Sequence, residues 1–173
     1  MSPPLTVAGL QADARAVGER LEVTYALRAD AALLRIPAPS SALRRDELWR
    51  HTCFELFVMV AAYAGAASSH NYTEYNFSPS TEWAAYRFAA YRQGPVALAA
   101  ERVVPQISVQ RAPAGLDLIA SINVPEAAAS LRIGLCAVVE DRDGRLSYWA
   151  LAHPDLQRPD FHDQRGFVLE VRH

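Results

Sequence analysis

Residues 71 to 88 hold the densest set of side chains able to do chemistry: Asn71-Tyr-Thr-Glu-Tyr-Asn-Phe-Ser-Pro-Ser-Thr-Glu-Trp-Ala-Ala-Tyr-Arg-Phe. A carboxylate (Glu74), an amide (Asn76), an indole (Trp83) and a guanidinium (Arg87) occur there at alternating positions. A planar ring beside oriented donors and acceptors is what a polyhydroxylated ligand needs, because its C–H patches stack on the ring and its hydroxyls need partners. Two strands joined at Ser78 to Thr81 would present these groups together. Pro79 excludes a tight type I′ turn, so a four-residue loop around a type I turn is expected, with Phe77 opposite Glu82. In that register Asn76 faces Trp83, Glu74 faces Ala85 and Tyr72 faces Arg87 on one side of the sheet. Thr73, Tyr75, Ala84, Tyr86 and Phe88 then form the core side.

Glu55 is the second candidate. It shares a strand face with Cys53, Phe57 and Met59 inside a nearly continuous apolar run at 53 to 60, and a carboxylate so placed needs partners. Arg50, Arg87, Arg92 or a tyrosine hydroxyl could supply them, as could a ligand. The third candidate is the stretch Tyr148-Trp149-Ala150-Leu151-Ala152-His153-Pro154 with Pro159-Asp160-Phe161-His162. Trp149 and His153 share a face there and could close one end of a pocket. The candidate ligand-binding set is therefore Glu55, Glu74, Asn76, Trp83, Arg87, Arg92, Trp149 and His153. Trp83 and Trp149 would stack, the two glutamates and Asn76 would hydrogen-bond, and an arginine would orient an acceptor.

The elements that must position these groups are strands. Leu21, Val23, Tyr25 and Leu27 alternate with polar neighbours, as do Leu116, Leu118, Ala120 and Ile122, which is the period of two of a half-buried strand. Further strands are expected at 5 to 10, 32 to 36, 71 to 78, 82 to 92, 103 to 110, 131 to 140, 145 to 152 and 166 to 171. Proline and glycine punctuate them at Pro37, Pro39, Pro79, Gly94-Pro95, Pro113 to Gly115, Pro125, Gly144, Pro154 and Pro159. Many short strands so spaced predict an all-β, two-sheet antiparallel sandwich of jelly-roll character. Helix is expected only as short turns at Ser40 to Asp46 and Pro125 to Ala129.

Composition narrows the partners. The 173 residues suit one domain, 51% are hydrophobic and 21% charged, and the net charge is only −2. No basic stripe is present to attract nucleic acid or an acidic membrane. No apolar run approaches the roughly 18 residues of a membrane helix, and no leader pattern opens the chain, so a cytoplasmic protein is expected. Cys53 and Cys136 lie in apolar runs and are expected as buried thiols rather than a disulfide.

At these residues the chain resembles the DOMON-like group of bacterial proteins related to family 9 carbohydrate-binding modules. The matching text is Leu48 to Phe57, then Tyr75 to Ser80 with Trp83 to Tyr86, and finally Glu140-Asp141 through Trp149 to His153-Pro154. It spans most of the chain, which would make residues 1 to 173 a single domain of this type. The resemblance implies a jelly-roll sandwich that binds a sugar or, in some relatives, haem. Trp49, Trp83 and Trp149 are the counterparts on offer for the tryptophan pair that flanks sugar in those modules.

Other chemistries have less to stand on. Haem would need axial ligands, and Met59 is the only internal methionine. The five histidines form no close metal motif, although His153, Asp160 and His162 could converge. Glycoside hydrolysis would need two carboxylates at a defined separation, with Glu55 and Glu74 the one attractive pair. The expectation is therefore non-catalytic binding of a small polar, sugar-like molecule without a cofactor. A protein-interaction or structural sandwich is the rival.

Overall fold

A computed structural model describes residues 7–61, 70–99, 104–123 and 130–172. Two antiparallel sheets account for the ordered elements. The smaller has four strands in the order β1 (Val7–Val17), β2 (Arg20–Ala29), β8 (Gly115–Asn123) and β7 (Gln106–Ala112). The larger runs β10 (Leu146–Ala150), β9 (Ser130–Glu140), β3 (Cys53–Val60), β4 (Tyr72–Phe77), β5 (Trp83–Phe88) and β6 (Val96–Ala97). Its seventh strand, β11 (Leu169–Arg172), lies beside β10 on the same edge of β9. The 11-residue β9 is long enough to pair with both.

Period-two burial drives the sandwich. Leu21, Val23, Tyr25 and Leu27 of β2 and Leu116, Leu118, Ala120 and Ile122 of β8 meet Phe54, Leu56, Tyr75, Phe77, Ile133 and Leu135 from the larger sheet. Burial of this apolar area is the main stabilising term of the fold. The Tyr25 hydroxyl crosses the interface to donate to the Glu55 carbonyl at 2.8 Å, so a buried polar tip is satisfied.

The larger sheet is covered on its outer face as well, which explains why the run of β3 is apolar on both faces except at Glu55. Phe57, Met59, Tyr72, Phe88, Cys136 and Phe167 form a second cluster there, and Leu48, Cys53 and Ala84 a third. Gly134 makes room for the second cluster, since a Cβ at that position would lie 2.7 Å from the Phe167 ring. Both cysteines are free and buried.

The short helical turns fall elsewhere than expected. They are 3-10 turns at Ala31–Leu33, Leu48–Arg50 and Gln164–Gly166. Residues 43 to 45 are extended instead, because the Leu43 carbonyl and Arg45 amide bond the backbone of Trp83 at the start of β5. Residues 32 to 36 are not a strand but a 3-10 turn and an isolated bridge from Leu34 to Asp141. The expected turn at Pro125 to Ala129 lies outside the described residues.

The hairpin register departs by one residue from the expected one. Phe77 pairs with Trp83, Asn76 with Ala84, Glu74 with Tyr86 and Tyr72 with Phe88. Beyond Phe77, the Ser78 amide donates to the Glu82 carbonyl at 2.9 Å and closes a three-residue loop in which Thr81 takes φ 77°. A β-turn followed by a left-handed residue adds one position to the loop. A slip of one residue moves a whole strand to the other face.

Candidate functional site

A cavity of about 670 Å³ opens on the outer face of the larger sheet. Glu55 and Glu74 line its base from the adjacent strands β3 and β4, where Glu55 pairs with Asn76 and Phe57 with Glu74. Tyr86 and Phe88 of β5 and Val138 of β9 extend it to either side. The walls come from three irregular segments, through Trp49 and Arg50, Arg92 and Pro95, and Pro159, Phe161 and His162, with Leu146 and Tyr148 at the sheet edge.

One clasp assembles these walls. Asp160 accepts hydrogen bonds from the Tyr91 hydroxyl, from the Arg92 guanidinium at 2.8 Å and from the His162 amide at 3.1 Å. Against the raising effect of burial, the hydrogen bond from Tyr91 and then the hydrogen bond and charge of Arg92 hold this carboxyl below its ordinary value. The clasp ties the turn at 90 to 93 to the segment at 159 to 163. The Tyr72 hydroxyl then accepts the Arg92 amide at 3.1 Å and bonds His162 Nδ1 at 2.8 Å. His162 stands edge-on to Phe57, Tyr72 and Phe88. Burial and the nearby Arg92 charge lower its pKa to about 4, so the imidazole is neutral near pH 7.

The two carboxyls at the base differ in support. Glu74 Oε1 accepts from the Asn76 amide at 2.7 Å, and Glu74 Oε2 lies 3.6 Å from His162 Nε2. Asn76 Oδ1 is in turn reached by the Cys53 thiol at 3.6 Å. Glu55 is only 4% exposed, yet its carboxyl has no hydrogen-bond partner among the described residues. No fully enclosed side-chain polar atom among those residues lacks a partner, so the Glu55 oxygens are the ones that meet the cavity. Burial, and then the neighbouring Glu74, push the Glu55 carboxyl well above the ordinary carboxylate range. Glu74 is raised by burial too, with Asn76 and Arg92 pulling the other way.

Of the eight residues singled out from the sequence, Glu55, Glu74 and Arg92 line this cavity, and Asn76 braces Glu74. Trp83 does not join them. The register shift turns it inward, where it is 1% exposed in the core between the sheets. Arg87 alternates with Tyr86 and Phe88 and is exposed on the face opposite Glu74. Trp149 pairs with Ala137 and packs toward the inter-sheet core, its indole donating to the Ser147 hydroxyl at 3.0 Å. Its neighbour Tyr148 takes the cavity side. His153 sits behind Phe161 at 6.2 Å between ring centroids rather than on the cavity.

None of the arginines considered as partners for Glu55 meets it: Arg50 pairs with Glu47 at 2.8 Å, Arg92 with Asp160, and Arg87 lies on the opposite face. Among the described residues no three histidine, cysteine or acidic side chains group as metal ligands would. Tyr86 and Phe88, expected on the core side, line the cavity instead, and within the third candidate stretch it is Tyr148, Phe161 and His162 rather than Trp149 and His153 that reach it. Their signal lay in an aromatic-rich text, but the faces and loops that gather them are tertiary.

No protein-family model matches the chain, and neither does any curated protein. Among solved structures it is similar to a family 9 carbohydrate-binding module from Caldicellulosiruptor kristjanssonii in complex with glucose. The TM-score is 0.52 at 10% identity, covering 96% of this chain and 80% of that one. The same comparison with that organism's module in complex with cellotriose gives 0.52 and 11% identity over 96% and 78%. The likeness is one of fold. This chain is an antiparallel β-sandwich of the same kind.

Proposed function

We propose that the protein binds a small carbohydrate-like ligand in the outer-face cavity and does not transform it. The observation that carries this reading is the Glu55 carboxyl, which is nearly enclosed and faces the cavity with no hydrogen-bond partner among the described residues. Leaving such a group unpaired is costly, and a ligand donor removes the cost. Aromatic side chains beside it (Trp49 edge-on to Tyr86 at 5.8 Å, with Tyr148 and Phe161 on the same cavity) offer the apolar surface that sugar C–H groups cover. The fold neighbours, solved with glucose and cellotriose, support the sugar class.

Binding without turnover is supported by the placement of the acids. Glycoside hydrolysis sets its two carboxyls on either side of the scissile bond. Glu55 and Glu74 instead rise side by side from neighbouring strands of one sheet face. A ligand meets both from the same direction.

Titration calorimetry against glucose, glucosamine, N-acetylglucosamine and cellobiose tests the reading, with Glu55→Gln and Trp49→Ala as controls. Saturable binding weakened by both substitutions is expected. Absence of heat with every sugar, or binding indifferent to both substitutions, overturns it.

A further inference from the structure

The acid pair narrows the ligand further, on the footing of the carbohydrate reading. Every cationic side chain near the base of the cavity is occupied or neutral. Arg92 is bound to Asp160 and Arg50 to Glu47. His162, bonded through Nδ1 to the Tyr72 hydroxyl, is kept neutral by its burial and by the nearby Arg92 charge. The remaining titratable groups facing the pair are the Tyr86 hydroxyl, which donates to Asp46, and the thiols of Cys53 and Cys136, all raised above their ordinary values mainly by burial. Glu55 and Glu74 thus share one cavity with no ion-paired cation among the described residues: Arg92 acts on Glu74 only at a distance, and the imidazole 3.6 Å from Glu74 is neutral.

A neutral sugar hydroxyl brings one donor to this base and no charge. A protonated amine brings three donors and a positive charge. Phosphate or uronate groups would be repelled by the same carboxyls. We propose that the cavity selects a sugar-like ligand bearing a protonated amine, of the amino-sugar class, whose ammonium seats between Glu55 and Glu74. The raised carboxyls are the unliganded counterpart of this arrangement, since a bound cation favours their charged form and drives a proton off the pair.

The test is calorimetry on the whole protein near neutral pH with glucosamine, glucose and N-acetylglucosamine, repeated in buffers of different ionisation enthalpy to count protons. Glucosamine should bind at least about tenfold more tightly than the two uncharged sugars and release protons from the protein. Glu55→Gln should cut that preference to a few-fold, and Glu74→Gln serves if the first variant fails to melt cooperatively. Equal or tighter binding of glucose overturns the amine assignment and leaves the carbohydrate reading standing. No binding of any of the three overturns both.

Discussion

Tyr72 and His162 are joined by a 2.8 Å hydrogen bond between the hydroxyl and Nδ1, and the same hydroxyl accepts the Arg92 amide at 3.1 Å. The other ring nitrogen, Nε2, is turned toward Glu74 and lies 3.6 Å from its Oε2. The bond links β4 to a loop residue ninety positions away in sequence, so the charge state of the cavity and the stability of the fold are coupled through one imidazole.

That coupling has a pH signature. The folded protein holds His162 at about 4 against an ordinary 6.5, so between those values the unfolded chain binds a proton that the folded one refuses. Stability then falls as pH drops through that window, by at most on the order of 3 kcal/mol. Glu55 acts in the opposite sense. Its raised value means the folded state retains a proton that the unfolded chain gives up, so stability is lost as pH rises through the folded value. Urea melts should show His162→Gln resisting acid better than the wild type, and Glu55→Gln gaining on the wild type toward alkaline pH. Parallel profiles for all three proteins would contradict the assignment.

The tryptophans separate site from core. Trp83→Ala empties a position that is 1% exposed and should cost about 3 to 5 kcal/mol, enough to threaten folding. Trp49 is 38% exposed on the cavity rim, so Trp49→Ala should leave the melting temperature nearly unchanged while weakening sugar binding by about 1 to 3 kcal/mol. Thermal melts and calorimetry on the two variants check this. Lost affinity with Trp83→Phe but not with Trp49→Ala would reverse the roles.

The loop that turns Trp83 inward is itself testable. Thr81 is β-branched and adopts φ 77°, a conformation that glycine reaches without the clash of a Cβ. Its hydroxyl recovers part of that cost by donating to the Ser40 carbonyl at 3.2 Å at the surface. Thr81→Gly should therefore raise stability modestly, by up to about 1 kcal/mol. Denaturant melts would read the gain, and a loss of more than that amount would mean the hydroxyl matters more than the backbone.

Thr81 also marks where reading the sequence stops working. Alternation alone was enough for the two sheets, for the central apolar strand at 53 to 60 and for Glu74 and Asn76 on one face, because burial repeats every two residues along each strand; that Glu55 joins that face came only from the pairing of β3 with β4. Threonine does not advertise a left-handed conformation as glycine or asparagine would, and the unseen extra loop residue exchanged the faces of Trp83 and Tyr86. The aromatic and imidazole walls were illegible for another reason. Phe161 and His162 reach the cavity through the Asp160 clasp to Tyr91 and Arg92, a contact between distant loops that no local pattern encodes. Trp49 stands on a 3-10 turn of three residues, too short for periodicity to register.

The outer face depends on one missing side chain. Gly134 pairs with Phe57 across β9 and β3, and Phe167 lies over it, stacked on Phe57 at 5.6 Å and edge-on to Tyr72. A Cβ at position 134 would sit 2.7 Å from the Phe167 ring, well inside van der Waals contact. Gly134→Ala must push that ring outward, and with it the packing beneath Tyr72 that holds His162. Overpacking of this kind should cost about 1 to 3 kcal/mol and weaken ligand binding as well, although residue 134 does not line the cavity. Phe167→Leu in the same chain makes room for the methyl and should recover part of both losses, which a double-mutant cycle would measure as a favourable coupling. Simple additivity of the two substitutions would place the support of the cavity somewhere other than the Phe57, Phe167 and Tyr72 stack.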